Sequence, residues 1–307
     1  MINIIGKRRI FFIISLAIII PGMIIWLYLG IQKTLPLSID FTGGSLLEVV
    51  LESGKIPSTS EVFELYNQLG ITDPQVQTTN QDSIVIRSSF LEDNVRAQIV
   101  KNMGEKYNEA VTVLRFESVG PVIGQEVTLR AAMAIAVAAL IVVIYITFAF
   151  RGVQNASRYG ICAIIAMVHD VAIVLSITAF GSLLLGWQID ALFLTALLTV
   201  IGFSVQDKIV VFDRIRENSG IYRKLKFETL VNHSIVQTLQ RSINTQLMTV
   251  EFILFSLVLF GGVTLREFSL ILLIGLLSGT YSSIFTAAPL LVEWDYKTKK
   301  KTIPVAS

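Results

Sequence analysis

Apolar runs of roughly 20 residues constrain this chain more than any other feature, because a helix of that length matches the hydrocarbon core of a bilayer. Six such runs stand at residues 10–31, 131–150, 159–180, 191–212, 242–260 and 268–292. A chain patterned in this way is expected to fold as a bundle of membrane-spanning helices, since helices satisfy all their backbone groups internally. Composition agrees: 53% of the 307 residues are hydrophobic and 16% charged, with a mean hydropathy of +0.68, beyond what a soluble core requires. The net charge of +2 and the lack of interleaved basic and aromatic residues argue against nucleic acid as a partner. Cys162 stands alone, so neither an intrachain disulfide nor a cysteine metal site is available.

Orientation is read from Lys and Arg near the ends of the runs. With the N-terminus cytoplasmic, the inner segments carry Lys7, Arg8 and Arg9, then Arg151 and Arg158, then Arg214, Arg216, Arg223, Lys224, Lys226 and Arg241, and finally Lys297, Lys299, Lys300 and Lys301. The short outer loops carry only Arg266. The expectation is a multi-pass protein of the cell (inner) membrane with six crossings and both termini cytoplasmic. Although Lys7 to Arg9 precede the first run as in a signal peptide, the run is too long for one. It also lacks a small-residue cleavage site before Asp40, so an uncleaved anchor is expected.

Residues 32–130 are too polar to span a membrane and too numerous for a plain loop, so they are expected to form an extracytoplasmic domain. Alternating and β-branched residues predict strands at 45–51, 75–79, 83–87 and 111–117. Ser58 with Glu61, and Ser89 with Glu92, read as capping boxes opening helices at about 59–69 and 90–107. The order strand, helix, strand, strand, helix, strand predicts a split βαβ, ferredoxin-like domain. The fold class is therefore an all-α membrane bundle of six helices with an inserted α+β ferredoxin-like domain. Its divisions are 1–31 for the N-terminus and first helix, 32–130 for the domain, 131–293 for five further helices, and 294–307 for a basic cytoplasmic tail. Near 225–241, Phe227, Leu230, Val231, Ile235 and Leu239 recur at helical spacing, predicting an amphipathic helix on the cytoplasmic face.

Ionisable residues inside spans cost about 2.5–3.5 kcal/mol each at a helix centre and therefore mark function or helix pairing. The candidates are His169 and Asp170 in the third run, Asp207 and Lys208 in the fourth, and Glu251 in the fifth, with Arg241 where the fifth run enters. Thr199, Phe203, Asp207 and Arg214 fall on one face, which predicts that Asp207 looks toward protein or water and not lipid. Lys208 is rotated about 100° away and is expected to pair with Glu251, of opposite sign and comparable depth in the next helix. The competing reading pairs Lys208 with Asp207 or a lipid phosphate and leaves Glu251 protonated. No P-loop, dinucleotide-binding glycine pattern or paired metal histidines occur, so neither an enzyme nor a cofactor or metal site is expected. Gly43 and Gly44 read as a backbone bend, and Gly275 with Gly279 as close helix packing.

Three segments carry a family resemblance: IDFTGG at 39–44, IGFSVQDKIVVFDRIREN at 201–218, and QRSINT at 240–245. They resemble the SecF subunits of the bacterial SecDF complex, within the resistance-nodulation-division superfamily. Asp40, Phe41, Gly43 and Gly44 match the first motif, and Asp213, Arg214, Arg216, Glu217 and Asn218 match the end of the second. The resemblance implies an accessory role in protein export, driven by the proton-motive force. The partners it implies are SecD, the SecYEG channel with YidC, a translocating preprotein and membrane lipids. It further implies that Asp207 carries the proton and that Arg241 is its counter-charge. Gln206 stands where the family commonly has asparagine, Lys208 where it has a small hydroxyl residue, and Glu251 lies outside the pattern. An exporter of lipids or small amphiphiles and a passive assembly subunit are the competing functions.

Overall fold

The computed structural model describes residues 3–32, 34–53, 56–71, 74–78, 83–151, 156–246 and 251–302. The chain divides into two compact units, one of Met1–Pro36 with Ala134–Ser307, the other Leu37–Met133.

In the second unit a one-turn helix α2 (Ile39–Thr42) leads into β1 (Gly44–Leu51), followed by α3 (Thr59–Gln68), β2 (Gln75–Thr78), β3 (Ile84–Ser88), α4 (Asp93–Tyr107) and β4 (Val111–Val119). The strands form one antiparallel sheet in the order β2-β3-β1-β4. Alternation in β1 sends Leu47 and Val49 into a core with Val62, Leu65 and Tyr66 of α3 and Ile99 and Met103 of α4. Gly43 and Gly44 both have positive φ, which L side chains adopt only with strain, and a Cβ on Gly44 would lie 2.6 Å from the Ser88 carbonyl. The bend between α2 and β1 therefore requires glycine.

Of the two expected capping boxes, the first forms: the Ser58 hydroxyl accepts from Glu61 N, and Glu61 accepts from Ser58 N at 3.0 Å. Tyr107 donates to the same Glu61 carboxylate at 3.0 Å, and burial with this bond pushes its phenol up to about 12. The second box does not form. Helix α4 starts at Asp93 with Glu92 as its N-cap and no side-chain cap, because the residues before it are taken up elsewhere. Leu91 is buried and its N–H donates to Ser45 Oγ at 2.8 Å, fixing that stretch to β1 instead of coiling it into the helix.

Among the described residues, five helical stretches of 27 to 34 residues are long and apolar enough to cross a bilayer: Ile5–Ile31, Pro121–Ala149, Ala156–Leu185, Ala191–Ile221 and Leu265–Thr298. They contain α1 (Arg8–Ile31), α5 (Pro121–Ala149), α6 (Ala156–Leu185), α7 (Ala191–Ile221), α10 (Val263–Ser282) and α11 (Ala288–Thr302). A π-helical segment, Ser283–Ala287, joins the last two. Of the run expected as a fifth span, 242–260, the described residues belong to the end of α8 (Phe227–Gln246) and to α9 (Phe252–Phe260), and 247–250 lie outside the described residues.

Helices α6, α7 and α10 are the most buried of these, and their packing positions the site. A Cβ on Gly275 of α10 would collide with Val200 of α7, so glycine there lets the two backbones approach closely. The amphipathic α8 turns Leu230, Val231 and Ile235 into the same core, and Asn218 of α7 donates to Ser234 Oγ at 2.8 Å and to Gln237 Oε1 at 2.9 Å.

Candidate functional site

Asp170 of α6 has no exposed surface and lies at the centre of a polar cluster contributed by three helices. Its Oδ2 accepts from Ser204 Oγ of α7 at 2.6 Å, from Ser282 Oγ of α10 at 2.7 Å, and from the Lys208 ammonium of α7 at 2.7 Å. Its Oδ1 accepts from Ser278 Oγ at 2.8 Å and lies 3.1 Å from His169 Nδ1. Lys208 is also without exposed surface, and its remaining donors go to the Ser204 carbonyl at 3.1 Å and Ser204 Oγ at 2.5 Å. Helical spacing explains the convergence. Ser204 and Lys208 are four apart on α7, as are Ser278 and Ser282 on α10, so each pair stacks on one face. A buried ion pair repays its desolvation only where additional hydrogen bonds saturate both charges, and here they do.

This arrangement corrects the expectation that Lys208 meets Glu251. Side chains on α7 lean toward its N-terminus, which brings the ammonium back over Ser204, and α6 presents a carboxylate there. Glu251 is buried at 4% exposure, and neither of its carboxyl oxygens has a hydrogen-bond partner among the described residues. Asp207, 6% exposed, is buried one position before Lys208 on α7. The expected contact between Asp207 and Arg241 is absent from the ion pairs of the described residues. Arg241 lies exposed on α8, whose buried face is occupied by Thr238 and Ser242. Gln206 is exposed, on the face of α7 opposite the cluster.

The other expected residues are spread more widely. His169 stacks on Tyr281 with ring centroids 6.2 Å apart, and its Nε2 is buried without a partner among the described residues. At the far end of α7, Asp213 pairs with Arg216, and Glu217 with Arg214 at 2.6 Å, on exposed surface. With 31 residues, α7 is about 46 Å long, well over the hydrocarbon thickness, so this charged end projects beyond it. Asp40 and Phe41 belong to α2 in the other unit, at the glycine bend. Three site residues escaped the sequence reading, namely Ser204, Ser278 and Ser282. The available signal was the i, i+4 hydroxyl pair beside Gly275 and Gly279, weak on its own because serines bond their own helix backbone as readily.

Residues 99–297 match the family model described as protein export membrane protein SecD/SecF, C-terminal. The chain is 66% identical to the protein translocase subunit SecF of Anaerolinea thermophila, over 96% of this chain and 94% of the relative. It is 46% identical to the subunit of the same name from Thermobaculum terrenum, over 97% and 95%. Among solved structures it is similar to SecDF, a translocon-associated membrane protein, from Thermus thermophilus. The TM-score there is 0.79 at 31% identity, and the match covers 96% of this chain and 39% of that one.

Proposed function

The chain belongs to the SecD/SecF family of protein-export membrane proteins, and on that premise we propose that it is a SecF accessory subunit of the Sec translocase whose buried acids couple proton movement to preprotein export. A SecD chain is its direct partner. The SecYEG channel with YidC, and a preprotein emerging on the outer side, complete the setting.

The single observation that carries the coupling is the burial of two carboxyl side chains, Asp207 and Glu251, among the membrane-type helices. Ionisable side chains buried in membrane helices are costly and mark ion or proton paths. One elementary charge crossing 100 mV is worth about 2.3 kcal/mol, enough to bias a two-state helix movement. Arg241, exposed on α8, is the counter-charge in this reading.

The topology follows the same reading. The run 242–260 supplies a sixth crossing, both termini lie in the cytoplasm, and the βαββαβ unit is a ferredoxin-like domain on the outer face of the inner membrane. Replacing Asp207 by Asn keeps the side chain's shape and removes its charge. In inverted vesicles carrying the complete complex, the force-dependent fraction of preprotein translocation is expected to disappear while complex assembly is unchanged. Wild-type export by Asp207→Asn at low proton-motive force would overturn the coupling role.

A further inference from the structure

The environment of the Lys208 ammonium has the composition of a cation site. Its nitrogen is surrounded by one carboxylate oxygen of Asp170 at 2.7 Å, one hydroxyl oxygen of Ser204 at 2.5 Å and one backbone carbonyl oxygen of Ser204 at 3.1 Å. Hard oxygens of these three kinds are what alkali and alkaline-earth cations select. The carboxylate is held in place independently of the lysine, because Ser282 and Ser278 donate to its two oxygens at 2.7 and 2.8 Å. Ser204 gives its own proton to Asp170 at 2.6 Å, which leaves its lone pairs to face the ammonium. The net charge of the oxygen set is −1, so it suits a monovalent ion and not a divalent one.

We infer that Asp170 and Ser204 form a monovalent-cation site that this chain fills with its own Lys208 ammonium. The tethered charge lies on a four-carbon stem anchored one helical turn from Ser204 and cannot leave with the ion gradient. Two consequences follow. The native chain takes up no sodium at this centre, and shortening the side chain vacates a formed site that sodium can enter. The inference concerns binding and stability, so it stands or falls apart from the export reading.

The test measures thermal unfolding of the detergent-solubilised full chain in sodium chloride and in choline chloride at matched ionic strength. The wild type is expected to melt at the same temperature in both. K208A and K208T are expected to melt about 5 °C higher in saturating sodium than in choline, with the shift growing as the logarithm of sodium concentration. K208M fills the same volume with a methyl group and should show no shift, nor should Asp170→Asn combined with K208A. A sodium shift in the wild type equal to that in K208A would overturn the inference. So would its absence from both K208A and K208T, or failure of both to fold in either salt, since a formed site would take sodium during solubilisation.

Discussion

Asp207 and Lys208 are neighbours in sequence, yet α7 delivers them to regions of opposite character. Lys208 enters a cluster in which the ammonium and the Asp170 carboxylate are saturated by three serines and one carbonyl. Asp207 is buried too, and Glu251, a further buried acid, has no hydrogen-bond partner among the described residues. Both regions are equally hidden from solvent, so burial alone does not separate them. Saturation does: the Lys208 region joins three helices through a closed set of hydrogen bonds, whereas Glu251 has none among the described residues.

The contrast can be broken most sharply at Lys208. Lys208→Met strands the Asp170 carboxylate in a site without exposed surface, which should cost about 3–5 kcal/mol. Adding Asp170→Asn removes the stranded charge and is expected to recover most of that loss in the melting temperature. A double variant as unstable as the single one would mean that the pair is not the unit holding α6, α7 and α10 together.

A smaller effect, about 1–3 kcal/mol, is expected for Gly275→Ala, because the added methyl would meet Val200 and push α10 from α7. The separation should loosen the hydroxyl bonds of Ser278 and Ser282 to Asp170 before it reaches Asp207. Hydrogen exchange around Ser204 should therefore rise first, and an unchanged exchange pattern would count against helix spacing as the determinant of saturation. The smallest change is assigned to Glu251→Gln. An amide replaces a carboxyl of nearly the same shape that has no partner to lose among the described residues, so stability should shift by less than about 1 kcal/mol. Destabilisation comparable to Lys208→Met would place Glu251 in a saturated network as well and erase the distinction.

Much of the architecture was legible in one dimension because its causes are local. An apolar run long enough for a bilayer reads as a helix whatever it packs against, as α6 and α7 do. Strand alternation in β1 and the Ser58–Glu61 box likewise depend on residues a few positions apart. The box at Ser89 and Glu92 failed for a reason no local pattern contains: Ser45, more than forty residues away, captures the Leu91 N–H. The polar residues within spans were also visible, since each charge in an apolar run is conspicuous.

What the sequence by itself determined is therefore the number and length of the apolar runs, the presence of a separate αβ unit, and which side chains carry charge inside the helices. Tertiary structure alone decided their partners. The apolar runs hold three acids, Asp170, Asp207 and Glu251, and opposite charge to Lys208 was satisfied by any of them. The choice of Asp170 follows from the close approach of α10 to α7 at Gly275, which brings Ser278 and Ser282 onto the carboxylate and makes that site the one where both charges are saturated. Pairing in a low-dielectric interior is set by the sum of such hydrogen bonds, and these come from helices that only packing makes neighbours.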